Sequence, residues 1–198
     1  MGACCASETA TGRPLDTATL SKKEGKSGKT MGDKIEKKQD RKTMLANKPP
    51  IILGYWKIRG LAQQIRYLLE YIEHPYEEVL FEQGDAPSFS IQSWTSVKDT
   101  LGLDFPNVPY LIDGEVRLTD PLAIMIYLCN AYAPELLGNT PEQRAEIDIL
   151  HGQLKDVRQA LISQCYVGVP REQLKINSLN KSAQLVKYIQ GREYVAGN

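Results

Sequence analysis

The pattern of apolar and polar positions changes character near residue 47. Before that point Ser, Thr, Gly and Lys dominate and large apolar side chains are scarce. Such a stretch cannot bury enough surface to offset ordering, so residues 1–47 are expected to be a disordered tail. After it, Ile51, Ile52 and Leu53 form a short apolar run that ends at Gly54, followed by Tyr55 and Trp56. Leu61, Ile65, Leu68, Leu69 and Ile72 then recur three and four apart. This predicts a buried strand over 51–55, a turn carrying two aromatics, and an amphipathic helix over about 61–72. Tyr76–Phe81 alternates as a second strand would, parallel to the first, which makes a βαβ unit.

A loop follows over Glu82–Ser90, with Gly84 and Pro87 in it. Trp94 and Lys98 are four apart and share a face if this stretch is helical. Val108–Ile112 and Val116–Leu118 flank Asp113-Gly114, a strong hairpin signal. Asp120 is a good helix cap and Pro121 suits the first helical position. Pro134–Asn139 reads as a linker. Thr140 and Gln143 form a capping box around Pro141, and Ile147, Leu150, Leu154, Val157 and Leu161 continue as an amphipathic stripe. A second stripe runs through Ile176, Leu179, Ala183, Val186 and Ile189, before Gly191. The expected division is a tail over 1–47, an α/β domain over 48–133 and a helical domain over 140–198.

Charge sharpens this division. The whole chain is neutral, but residues 1–48 hold eleven Lys and Arg against six acids, a net +5 that the remainder cancels. The basic stretch is interrupted by acids and carries no interleaved aromatics, which argues against nucleic acid as a partner. No CxxC pair is present, so dithiol redox chemistry is not indicated; Cys129 and Cys165 sit in apolar surroundings that predict buried thiols. Residues 1–30 lack the apolar segment of a signal peptide, which predicts a cytoplasmic protein. The first residues, MGACCAS, place Gly2 as a myristoylation acceptor and Cys4 and Cys5 as palmitoylation candidates. Two acyl chains, or one with basic residues, would attach the tail to the cytosolic face of a membrane. Ala6 stands where the acylation motif prefers Ser or Thr. The alternatives are a solvated tail, or translation starting at Met44.

The chemistry centres on Tyr55, a phenol at the handover from a strand to a helix N-terminus, where backbone N–H groups favour an anion. The stretch LGYWKIRGLAQQIRYLLEY resembles the opening of a mu-class cytosolic glutathione transferase. EQGDAPSFSIQSW (Glu82–Trp94) and LGLDFPNVPYLIDG (Leu101–Gly114) continue the likeness in order and spacing, and it extends from about Pro50 to Asn198. The resemblance implies a thioredoxin-like α/β domain with a cis Val108–Pro109 bond, then an all-α domain that stops at Asn198 before the family's later helices, and is thus incomplete. It implies a homodimer that joins glutathione, a co-substrate rather than a cofactor, to hydrophobic electrophiles in detoxification, with no metal.

By the same resemblance, Tyr55 donates its O–H to the glutathione sulfur and stabilises the thiolate. Trp94 and Lys98 hold the glycine carboxylate. Asn107 and Val108 line the site, Val108 pairing with the cysteinyl backbone, while Trp56 and Leu61 pack nearby. Asp156 matches an acid that reaches the glutathione of the other subunit, and Tyr166 the tyrosine over the electrophile. A free thiol has a pKa near ~8.5, and each unit by which it is lowered is worth ~1.4 kcal/mol.

Two positions depart from the pattern. Asp120-Pro121 replaces a pair whose serine offers a hydroxyl and an N–H to the γ-glutamyl carboxylate; Pro121 offers neither, and Asp120 attracts the γ-glutamyl amine but repels the carboxylate. Ile91 stands where an arginine is common. These keep a second expectation open: a binding or scaffold protein that retains the fold and conjugates poorly.

Overall fold

The computed structural model describes residue 45 and residues 48–196. Four strands form one sheet: β1 (Ile51–Trp56), β2 (Tyr76–Phe81), β3 (Tyr110–Asp113) and β4 (Val116–Thr119), in the order β2-β1-β3-β4. β1 runs parallel to β2 and antiparallel to β3, and β3 and β4 form the hairpin around Gly114. Helix α1 (Gln63–Ile72) links the parallel pair. The short α2 (Gln92–Thr95) and a 3-10 turn (Lys98–Thr100) lie between β2 and β3. Helix α3 (Pro121–Tyr132) follows the hairpin.

Alternation along β1 sends its side chains to two cores. Ile51, Leu53 and Tyr55 pack with Ile65, Leu69 and Ile72 of α1 and with Ile124 and Leu128 of α3. Ile52 and Trp56 face the other way, onto Phe81, Trp94, Leu103 and Tyr110. Burial of each large apolar side chain contributes ~1.5–3 kcal/mol, so the sheet with its helices carries most of the fold's stability. Gly54 is paired with Tyr110 across β1 and β3. A Cβ at Gly54 would lie 2.0 Å from the Tyr110 ring, so only glycine lets that ring cross the strand.

Helix α3 is tied to the hairpin at its far end. The hydroxyls of Tyr127 (2.8 Å) and Tyr132 both donate to one oxygen of Asp113. Burial and that carboxylate push the Tyr127 hydroxyl up to about 12, and the Tyr132 hydroxyl upward as well.

Beyond a 3-10 turn (Pro134–Leu137) that occupies part of the expected linker come α4 (Pro141–Tyr166) and α5 (Arg171–Ile189). Thr140 accepts from the Gln143 N–H as expected (3.3 Å), but the Gln143 side chain reaches back to Asn139 instead of completing the box on Thr140. Polar groups link the two helices. Glu146 accepts from the Tyr188 hydroxyl and from Arg192 (2.9 Å), and Asn177 donates to Gln164. The apolar stripes predicted for these helices are buried only at Leu150, while Leu154, Ile176, Leu179 and Val186 are exposed.

Several expectations are corrected. The first helix begins at Gln63, because residues 57–62 form the turn that brings the chain back over Tyr55. Trp94 and Lys98 do not share a helix: α2 ends at Thr95 and Val97 leaves helical geometry (φ −120°, ψ −18°) before the 3-10 turn. Cys165 is exposed near the end of α4, whereas Cys129 is buried. The Val108–Pro109 bond is cis as expected, and Ala86–Pro87 is cis as well. Among the described residues no helix is long and apolar enough to cross a membrane.

Candidate functional site

Tyr55 lies near the end of β1, 6% exposed, on the face covered by α1 and α3. The turn after Trp56 folds back tightly, so that the Leu61 N–H donates to the Tyr55 hydroxyl oxygen at 2.9 Å. Gly60 makes this return possible: its φ is +40°, and a Cβ there would sit 2.4 Å from that oxygen. Tyr55 thus accepts one backbone N–H at the entry to α1 and keeps its own proton to donate. A donor oxygen that is itself a hydrogen-bond acceptor is polarised toward stronger donation.

On the other face of the sheet, Trp94 of α2 is also 6% exposed. Its ring stacks on Tyr110 (centroids 5.9 Å apart, planes 23° apart) and meets Phe81 edge-on at 5.2 Å. Gly54 sets this stack indirectly, by admitting the Tyr110 ring. Trp56 and Val108 pack against both cores, so they join the Tyr55 side to the Trp94 side at the strand ends. Val108 precedes the cis-proline and leads into β3, and its N–H is taken by the side-chain oxygen of Asn107 at 2.8 Å. A ligand backbone that pairs through that N–H displaces this internal bond.

The N-terminus of α3 is closed by its own cap. Asp120 has φ +76° and one of its carboxylate oxygens accepts from Leu122 (2.9 Å) and Ala123 (3.1 Å). The Ile124 N–H goes to the Asp120 carbonyl at 3.0 Å, and Pro121 has no N–H. Every N–H of this first turn is therefore engaged or absent, and a carboxylate arriving here meets an acid instead of free donors.

The remaining sequence-predicted residues are placed less closely. Lys98 is half-buried at the start of the 3-10 turn, and Ile91 is exposed ahead of α2. Leu61 is partly exposed beside Tyr55. Asp156 is exposed midway along α4 and Tyr166 is 87% exposed at its end, neither joined to the cores around Tyr55 and Trp94. Gly2, Cys4 and Cys5 lie outside the described residues.

Sequence reasoning missed a cavity of about 420 Å³ between the ends of β1 and β2 and the loop after β2. Trp56, Ile58, Phe81 and Phe89 line it, with Lys57 and Glu82 paired at 2.6 Å beside them. That pair raises the Lys57 ammonium and lowers the Glu82 carboxyl from their ordinary ranges, chiefly through their mutual hydrogen bond. It also missed Gly54, whose only local signal is a glycine beside an aromatic in a strand, and Gly60, a lone glycine in the turn ahead of a helix. Among the described residues, no group of three or more His, Cys, Asp or Glu could hold a metal ion.

Residues 52–130 match the family "Glutathione S-transferase, N-terminal domain". The chain is 51% identical over 117 residues to glutathione S-transferase Mu 1 of Oryctolagus cuniculus, covering 59% of this chain and 53% of that one. It therefore spans about half the length of that relative. It is 42% identical over 152 residues to glutathione S-transferase 2 of Gallus gallus, covering 75% and 68%. The crystal structure of the glutathione S-transferase Blo t 8 superposes with a TM-score of 0.64 at 30% identity, covering 74% of this chain and 68% of that one. A thioredoxin-like sheet followed by helices, a phenol held at a helix entry beside a cis-proline turn, and these similarities agree: the chain belongs to the glutathione S-transferase family and is similar to its mu class.

Proposed function

We propose that this protein binds glutathione and transfers its thiolate to electrophilic carbon in hydrophobic small molecules. The thiol gives up its proton, the sulfur forms a bond to carbon, and the leaving group departs with its electron pair, or the pair moves onto the acceptor when the reaction is an addition. The observation that carries this reading is the Tyr55 hydroxyl, held at the entry to α1 by the Leu61 N–H with its own proton left to give. An O–H aimed at the sulfur favours the anion and lowers the thiol pKa.

Around that donor, Trp94 and Lys98 would receive the glycine carboxylate, and Asn107 would release the Val108 N–H to the cysteinyl backbone. Trp56 and Leu61 would wall the sulfur, and the cavity beside Trp56 would take an apolar electrophile. In a homodimer Asp156 would face the partner's glutathione, and Tyr166 would cover the electrophile. Asp120 would take the γ-glutamyl amine.

One observation favours the second reading, a binding protein that conjugates poorly: the first turn of α3 has no free donor for the γ-glutamyl carboxylate. Hydrogen bonds to charged groups are worth ~1.5–3 kcal/mol each, so the loss of two weakens affinity by orders of magnitude. Retention on immobilised glutathione, measured together with turnover of 1-chloro-2,4-dinitrobenzene, separates the readings. Retention with turnover supports the transferase; retention without turnover supports the binding protein; absence of both refutes each.

The tail extends the proposal. Acylation at Gly2 and at Cys4 or Cys5, aided by nearby lysines, would hold the enzyme at the cytosolic face of a membrane, where lipid-derived electrophiles arise. Gly2→Ala then moves the protein from the membrane to the soluble fraction. An unchanged distribution rejects the anchor.

A further inference from the structure

Arg66 projects from α1 with its side chain only 14% exposed. Its guanidinium forks onto Glu78 of β2, Nε to one carboxylate oxygen at 2.8 Å and Nη2 to the other at 3.0 Å. The remaining nitrogen, Nη1, turns back toward the chain that precedes the helix. It donates to the carbonyls of Ile58 (3.2 Å) and Arg59 (3.4 Å) and contacts the Gln63 side-chain oxygen at 3.3 Å. One planar group therefore ties together α1, β2 and the turn between β1 and α1.

That turn delivers the Leu61 N–H to Tyr55. Only Gly60 separates the Arg59 carbonyl from Leu61, and glycine is the residue that restrains its own backbone least. A turn built on glycine needs its carbonyls held from outside if it is to present one N–H at a fixed point. The Arg59 carbonyl is held twice, by Arg66 and by the Gln63 N–H at 3.0 Å. A lysine could neutralise Glu78, but its point-like ammonium cannot fork onto a carboxylate and reach two carbonyls at once.

We propose that Arg66 is a positioning residue for the thiolate-stabilising donor. By holding the Ile58 and Arg59 carbonyls it keeps the Leu61 N–H on the Tyr55 oxygen, and so sets how strongly Tyr55 donates to a bound sulfur. Arg66 touches neither glutathione nor electrophile in this scheme. The inference rests on the transferase reading above.

The test uses the full chain and three variants. Arg66→Lys keeps the cation. Arg66→Leu with Glu78→Leu removes both charges, so that Glu78 is not left without its partner. Glu78→Gln leaves Arg66 on the turn and serves as the control. Two readouts are taken: hydrogen exchange of the Leu61 amide without ligand, and the pH titration of bound glutathione followed by its ultraviolet thiolate absorbance. The expected result is faster Leu61 exchange in both Arg66 variants, with the bound thiol titrating about 0.5–1 unit higher, a 3- to 10-fold smaller thiolate fraction below its pKa. Glu78→Gln stays near wild type in both.

A role limited to stability would lower the melting temperature of the Arg66 variants and leave the thiol titration where it was, and that result overturns the proposal. So does unchanged Leu61 exchange in folded Arg66→Lys. If wild-type protein binds glutathione without ionising it, the transferase reading fails and this inference with it. If wild type ionises the thiol and the variants do so equally, only this inference fails.

Discussion

Tyr55→Phe lowers kcat/KM for thiol conjugation about 10²-fold at neutral pH, in the range for removal of a single preorganised donor to a developing or bound anion. The ring is kept, so its packing against α1 and α3 is kept too, and retention on immobilised glutathione changes little. On the proposed function, what is lost is the O–H to the sulfur. The Leu61 N–H also loses its acceptor, which costs stability by ~1 kcal/mol. A 10²-fold loss corresponds to ~2.7 kcal/mol, or about two units in the pKa of the bound thiol. The sign follows directly: the mutant's thiol ionises at higher pH, so its deficit is greatest near neutrality and shrinks as pH rises and the thiolate forms unaided. A pH–rate profile of both proteins reads this. Equal activity at neutral pH removes Tyr55 from the mechanism.

Gly54→Ala destabilises the fold by about 3 kcal/mol, the upper part of the range for overpacking a tight interior. The added methyl would lie 2.0 Å from the Tyr110 ring, which is 1% exposed and stacked on Trp94, so nothing at the contact can yield by rotating into solvent. On the proposed function the loss reaches binding as well, because the displaced ring carries Trp94 with it, and glutathione affinity falls along with the denaturation midpoint. Tyr110→Leu in the same chain clears the space for the methyl. The double variant is then less unstable than the two single effects added together, a coupling expected for residues in direct contact. Additive losses in urea titrations would show that Gly54 is required for some reason other than that ring.

How much of this was legible in the sequence depends on how far apart the interacting residues lie. The strands, the hairpin at Asp113-Gly114 and the cap at Asp120 follow from patterns a few residues long, and the structure has them. The cap's closure of α3 could be foreseen only in part. Pro121 announces a missing donor, but that Asp120 takes both the Leu122 and Ala123 N–H groups depends on its φ of +76°. Gly54 and Tyr110 meet only through the register of β1 and β3, 56 positions apart in number, and no local pattern marks them as partners. Trp94 and Lys98 were spaced for one helix, yet α2 is a single turn, and the buried Trp94 ring takes its place from the sheet. The stripes on α4 and α5 are real periodicities, but the helices are also linked through Glu146, Tyr188, Gln164 and Asn177, with Arg192 just beyond α5, polar residues that an apolar pattern does not count. Tyr55, Trp94 and Val108 were expected at the site through family resemblance, while Gly60 and Arg66, which touch Tyr55 or the turn above it, act through contacts that no local pattern announces.

The double phenol grip on Asp113 has a mechanical consequence. Helix α3 is capped by Asp120, directly after β4, and is moored near its other end to the hairpin that leads out of the cis-proline turn. Both ends of the strut are thereby referred to the same pair of strands. Force applied at Asp120 is therefore resisted by a closed frame of two strands and one helix.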